Sequence, residues 1–108
     1  MTPKTIIITA LKSKLEGTGI EKVIFTFWLE TNKYDLLVRN ATGETMNIEI
    51  SDNEINTIKT IFINKVVKQW NRQYSHPATG VIIQFNVETE TLELFIHDDK
   101  KDIYKFDF

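Results

Sequence analysis

His97-Asp98-Asp99, with Asp102 close behind, brings together an imidazole and three carboxylates. These are nitrogen and oxygen donors of the kind divalent cations take. Their spacing follows no recognisable ligand pattern and falls where a hairpin turn is expected, so no metal and no cofactor is assigned. Ser75 beside His76 raises nucleophilic catalysis. Neighbours in sequence rarely face each other, however, and no orienting carboxylate is indicated, so Ser75-His76-Pro77 reads as the loop that ends a helix. Carboxylate chemistry remains, with Glu30 and Glu88 as the candidate pair if they meet across a pseudo-twofold axis. Gly17-Thr18-Gly19 is a fragment of a phosphate-loop pattern and follows a helix, not a strand. Cysteine is absent, which excludes disulfides, zinc-thiolate sites and cysteine nucleophiles. The residue inventory points away from an enzyme.

The pseudo-twofold comes from a self-similarity. VIFTFWLETNKYDLLVRNATGETMNIEI, starting at Val23, lies without a gap over VIIQFNVETETLELFIHDDKKDIYKFDF, starting at Val81. Val23/Val81, Ile24/Ile82, Phe27/Phe85, Glu30/Glu88, Thr31/Thr89 and Leu36/Leu94 are identical, and most other pairs keep their chemical class. Such repetition constrains architecture ahead of any motif. Each block alternates like three strands joined by polar turns. The first runs through Val23 to Leu29, Tyr34 to Val38 and Met46 to Ile50, the second through Val81 to Val87, Leu92 to Ile96 and Tyr104 to Phe108. A helix is expected before each block. Ser51-Asp52-Asn53-Glu54 has capping-box spacing and opens one that runs to about Tyr74. The other runs from Thr2 or Pro3 to Glu16, ended by Gly17 and Gly19. Its Ile6-Ile7-Ile8 run also suits a strand, but Ile7, Ile8, Leu11 and Leu15 fall on Val66, Val67, Trp70 and Tyr74 of the later helix. The expected fold is α+β, a single domain over 1–108 made of two tandem αβββ repeats, 3–50 and 51–108, with antiparallel meanders packed against two helices.

One strand face is less polar than water contact requires. Ile24 and Ile82 recur on it, as do Leu37 and Phe95, and Trp28 joins them opposite Asn86 in the overlay. Either the face meets a partner, with Trp28 as an aromatic anchor, or the sheet curls and these residues make a second part of the core. Glu30, Asp35, Arg39, Glu88, Glu93 and His97 share the parity. Acids around an apolar strip suit a basic partner, and a charged sheet edge that resists aggregation explains them as well.

Charge sorts along the chain. The formal total is -2, with both helical segments net basic and the meander from Val81 the most acidic part. Lys65, Lys68 and Arg72 lie on one helix side and could touch phosphate. Helix-βββ-helix is also the order of double-stranded RNA-binding domains, but the basic helix start expected there is replaced by Ser51-Asp52-Asn53-Glu54. With a negative total charge, nucleic acid is not the expected partner. Ile6 to Leu11 is too short to span a membrane or to form a signal-peptide core, so a cytoplasmic protein is expected.

In size, acidity, absence of cysteine and α+β format, the VIFTFWLETNKYDLLV meander and the SDNEINTIKTIFINKVVKQW helix resemble the small immunity proteins of bacterial polymorphic and contact-dependent toxin systems. The resemblance is one of format and carries no diagnostic motif, so no functional residue transfers. It implies a non-catalytic partner that occludes a toxin, often a basic nuclease, in a one-to-one complex. Trp28, Glu30, Asp35, Leu37, Arg39, Glu88, Glu93, Phe95 and His97 are the expected contact residues. A ligand-binding or scaffolding domain that homodimerises through the same strip is the alternative.

Overall fold

Ser51 opens the longer helical stretch by the chemistry its spacing requires. Its hydroxyl accepts the Glu54 amide at 3.2 Å while the Glu54 carboxylate accepts the Ser51 amide at 3.1 Å. The computed structural model describes residues 3–107. Thr2 and Phe108, expected as a helix start and a strand position, lie outside them. Within that range the order is α1 (Pro3–Leu15), β1 (Ile20–Trp28), β2 (Lys33–Asn40), β3 (Thr45–Met46), α2 (Asp52–Ile58), a π-helical segment (Lys59–Ile63), α3 (Asn64–Gln73), β4 (Ala78–Asn86), β5 (Thr91–Asp98) and β6 (Ile103–Lys105). Gly17 and Gly19 adopt φ of 75° and 80° after α1, the left-handed region that ends helices and that glycine enters without penalty.

The fold is α+β, with a six-stranded antiparallel sheet in the order β3-β2-β1-β4-β5-β6. Both helical stretches lie on one face. Ile7 and Leu15 of α1, and Ile55, Phe62, Ile63, Val66 and Trp70 of the longer stretch, join the inward strand residues Phe25, Phe27, Val81, Ile83, Phe85, Leu94 and Ile96 in one apolar core. In the π segment the Asn64 amide reaches back to the Lys59 carbonyl, the wider turn of a π-bulge, and Phe62 and Ile63 within it are buried.

The two meanders agree in register. Val23 pairs with Val38 as Val81 pairs with Ile96, and Val38 with Met46 as Ile96 with Tyr104. The shift between Ile20 and Lys22 recurs between Ala78 and Gly80. Positive φ occurs at Asn32 and again at Glu90, at Gly43 and again at Lys101. At the centre, β1 and β4 are aligned so that Phe25 faces Ile83, its own counterpart, while Val23 faces Phe85 and Phe27 faces Val81. Exchanging the halves returns the same pairs.

The helices break the agreement. Where α1 is one helix, the second stretch is three consecutive helical segments, so the strict αβββ-αβββ order is not matched. The third strands are also shorter than expected. Ile48 and Ile50 lie past the end of β3 and pack partly buried against the core, because the chain leaves the sheet edge there to reach the Ser51 cap. On the opposite edge Phe106 is buried beyond β6, edge-on to Trp70 at 5.4 Å. Each helical stretch touches the other half's first turn: Lys12 pairs with Glu90, and Lys59 donates to Asn32 Oδ1 at 2.6 Å.

Replacing Ser51 by Ala is expected to lower the unfolding free energy by about 1 kcal/mol in urea titrations, the usual effect of losing an N-cap. The Glu54 carboxyl is held below its ordinary value, first by the Ser51 backbone amide and then by the Lys14 ammonium. A lowered folded pKa stabilises above the ordinary carboxylate range, and that stabilisation is lost as pH falls through the lowered value. The stability gap between wild type and Glu54→Gln should therefore be present at neutral pH and close on acidification. A gap unchanged into acid would contradict this origin.

Candidate functional site

Alternation along the strands sends Trp28, Asp35, Leu37, Arg39, Glu93, Phe95 and His97 to the helix-free face, as the registers require. Ile24 and Ile82 are there too. Ile24, Trp28, Leu37, Ile82 and Phe95 are partly buried, and none of the five joins the core cluster. The sheet does not curl them into a second core. Cross-strand pairing sets Leu37 against Ile24 on one side and Phe95 against Ile82 on the other, while at the seam Ile24 faces Gln84 and Ile82 faces Thr26, so the two apolar pairs meet on a diagonal.

Charge on this face is mixed. Register puts Lys22, Lys33 and Lys105 there beside Arg39, against Asp35 and Glu93, and Lys105 approaches Glu93 at 3.8 Å. Glu30 and Glu88 are exposed in the turns after β1 and β4. They do not meet. Trp28, just before Glu30, is opposite Gly80, whereas Asn86, just before Glu88, is opposite Lys22. Antiparallel pairing therefore separates the two acids by the length of the strand pair, about 20 Å or more at the usual rise. The same geometry parts Arg39 from His97, so the expected contact residues divide between the two ends of the sheet.

The Trp28 end is the more elaborate. The indole lies across β4 with its Nε1 donating to Asp35 at 3.1 Å and its ring edge-on to His97 at 5.2 Å. Gly80 makes this possible, because a Cβ there would come within 3.0 Å of Trp28 Cε3. At the other end, the overlay puts Asn86 in place of Trp28 and Arg39 in place of His97, and the strand register extends it back one residue to put Lys22 in place of Gly80, so the aromatic, the glycine beneath it and the imidazole beside it differ as a set. The Thr79 hydroxyl lies 3.1 Å from His97 Nδ1 and donates to the His97 and Asp98 carbonyls at 3.0 and 2.9 Å. A surface cavity of about 420 Å³ opens among Trp28, Glu30, Thr79, His97 and Lys101. Sequence reasoning missed Gly80, Thr79 and Lys101. The usable signal lay one residue before the overlay begins, where Gly80 stands over Lys22.

His97, Asp98, Asp99 and Asp102 do not converge as a group. His97 faces outward and Asp98 inward, since neighbours on a strand alternate. Instead Asp98, fully buried, lies with Asp99 near His76 from the loop after α3. Ser75 and His76 show no mutual hydrogen bond among the described residues. Partial desolvation of this exposed side chain, with Asp102 and Asp98 nearby, raises the Tyr104 phenol above its ordinary value, and its hydroxyl reaches Asp102 at 3.5 Å. Lys65, Lys68 and Arg72 line an exposed helix side, away from the strip. No helix among the described residues is long and apolar enough to cross a membrane.

Trp28→Ala is expected to cost about 1–2 kcal/mol in folding stability, between the near-zero effect of a free surface side chain and the larger losses of the core. Gly80→Ala should displace the indole and shift its Nε1-H resonance. Its destabilisation should largely vanish in a Trp28→Ala background, which a double-mutant cycle reads directly; additive effects would mean that the indole does not rest on Gly80. Comparison of the chain with protein-family models, with curated proteins and with solved structures returns no match.

Proposed function

We propose that this chain is a non-catalytic, cytoplasmic protein-binding protein that uses the open face of its sheet, and that its partner is a bacterial toxin domain it neutralises as an immunity protein. The observation that carries the reading is the helix-free strip of Ile24, Trp28, Leu37, Ile82 and Phe95. A contiguous apolar strip with an aromatic anchor and a charged surround is the composition of a protein interface. The mixed charge favours a partner of complementary pattern over one that is simply basic. Format-level resemblance to immunity proteins supplies the toxin. The matching registers, shifts and positive-φ positions support a tandem duplication of an αβββ unit whose helices have since diverged.

A small-molecule role has less support. The apolar cleft between α1 and α2, lined by Ile6, Leu11, Ile50 and Ile58, is about 210 Å³, below the roughly 300–1,000 Å³ usual for ligand sites, and the 420 Å³ cavity beside Trp28 is lined mostly by polar side chains where such sites are predominantly apolar. Expression of this protein should rescue cells producing the C-terminal toxin domain encoded next to its gene, and the two should form a one-to-one complex in calorimetry. Trp28→Ala and Phe95→Ala should each weaken that complex by about 2 kcal/mol. Failure of the wild type to rescue or to bind would sink the immunity reading. A concentration-dependent dimer in sedimentation, abolished by Phe95→Ala, would favour the homodimeric scaffold instead.

A further inference from the structure

Asp98 carries more charge than its turn uses. Its Oδ1 accepts the Lys100 and Asp102 amides, both at 2.9 Å. In the first meander, Asn40 Oδ1 does the same work, accepting the Thr42 and Glu44 amides at 3.1 and 2.9 Å. An amide therefore suffices to build this turn. The carboxylate adds a second oxygen, Oδ2, which is buried and has no hydrogen-bond partner, in a side chain that is 0% exposed. A buried carboxyl oxygen with no donor at full hydrogen-bond distance is costly; the neighbouring Tyr104 phenol, whose pKa Asp98 helps to raise, donates to Asp102 at 3.5 Å.

Beside the Asp98 carboxyl stand groups of the kind that ligate metals. One carboxylate oxygen each from Asp98 and Asp99 and one ring nitrogen of His76 lie within 4.8 Å of one another. His76 is held in place by its backbone, whose carbonyl accepts Trp70 Nε1 at 2.7 Å, and neither ring nitrogen is engaged in a hydrogen bond among the described residues. We propose that His76, Asp98 and Asp99 form a binding site for one divalent cation of the zinc class, with water completing the coordination. An imidazole donor selects Zn2+ and its neighbours over Mg2+ and Ca2+, which take oxygen shells. Tetrahedral bonds near 2.0–2.2 Å put ligand atoms about 3.4 Å apart. The exposed Asp99 and the partly exposed His76 can close that difference by rotation. The cation supplies counter-charge to the buried Asp98 carboxyl, and it ties the loop between α3 and β4 to the turn between β5 and β6. The site is independent of the toxin reading.

The full chain, stripped of metal with chelator, is titrated with zinc chloride in a calorimeter and melted with and without it. One equivalent should bind, and Tm should rise with zinc and fall back with EDTA. Loss even of outer-shell partners costs about 10–100-fold in metal affinity, so His76→Gln and Asp98→Asn should each weaken binding at least tenfold. Asn40 shows that the turn accepts an amide, and His76→Gln reads the site should Asp98→Asn fail to fold. Asp102→Asn, in the same acidic turn, should leave binding unchanged. The proposal is overturned by no heat and no shift in Tm up to millimolar zinc. Equal weakening by Asp102→Asn, or Mg2+ binding as tight as Zn2+, would overturn it too, since either marks diffuse attraction to acids and not a site that uses His76.

Discussion

The antiparallel seam between β1 and β4 is the constraint on which the molecule depends. It joins two hairpin meanders that would otherwise each present an unpaired inner edge, and such edges are liabilities. Phe25 facing Ile83, with Val23 against Phe85 and Phe27 against Val81, makes the seam a line of large apolar side chains on the core side. Those residues are the floor on which both helical stretches rest. Each stretch also reaches the opposite half, through Lys12 to Glu90 and Lys59 to Asn32. Neither half keeps its core if the seam opens.

The strands were legible because both blocks alternate cleanly, and the overlay fixed which residues share a face. That was enough to send Trp28, Leu37 and Phe95 outward. Position along the strand was not legible. Glu30 and Glu88 are equivalent by sequence and therefore lie at opposite ends of an antiparallel pair, which no single-strand pattern reveals. The π segment escaped notice because Lys59-Thr60-Ile61-Phe62-Ile63 suits an α-helix equally well. Ile48 and Ile50 alternate like a strand but only follow the sheet edge, since burial against the core imposes the same period. His76 and Asp98 come from a loop and a strand end distant in sequence, and only the fold brings them together. The contrast of Asp98 with Asn40 was nevertheless visible in the overlay, as a charge on one copy of a turn that the other copy builds without it.

Near-symmetry also shows where this chain departs from its own pattern. Positions that agree between the meanders report what the unit needs to fold: the register shift, the left-handed turn residues and the inward aromatics. Departures gather at one end, where Trp28, Gly80 and His97 replace Asn86, Lys22 and Arg39, and where Asp98 replaces Asn40. Two independent features, an aromatic laid over a glycine and a buried carboxylate beside an imidazole, thus sit at the same end of the molecule. An open face that is apolar at its centre and chemically distinct at its ends has a direction, which a symmetric face lacks.

The seam has a kinetic side as well. Most strand pairs here are hairpins, closed by short loops and formed from neighbours in sequence. β1 with β4 is the one pairing that must wait for a long loop to close, and such non-local contacts slow folding. The inward pairs of the seam map onto one another when its halves are exchanged, whereas the outward pairs at its two ends, Trp28 on Gly80 and Asn86 on Lys22, do not. A seam whose inward side is self-complementary thus lets a small chain join two locally formed meanders into one wide sheet.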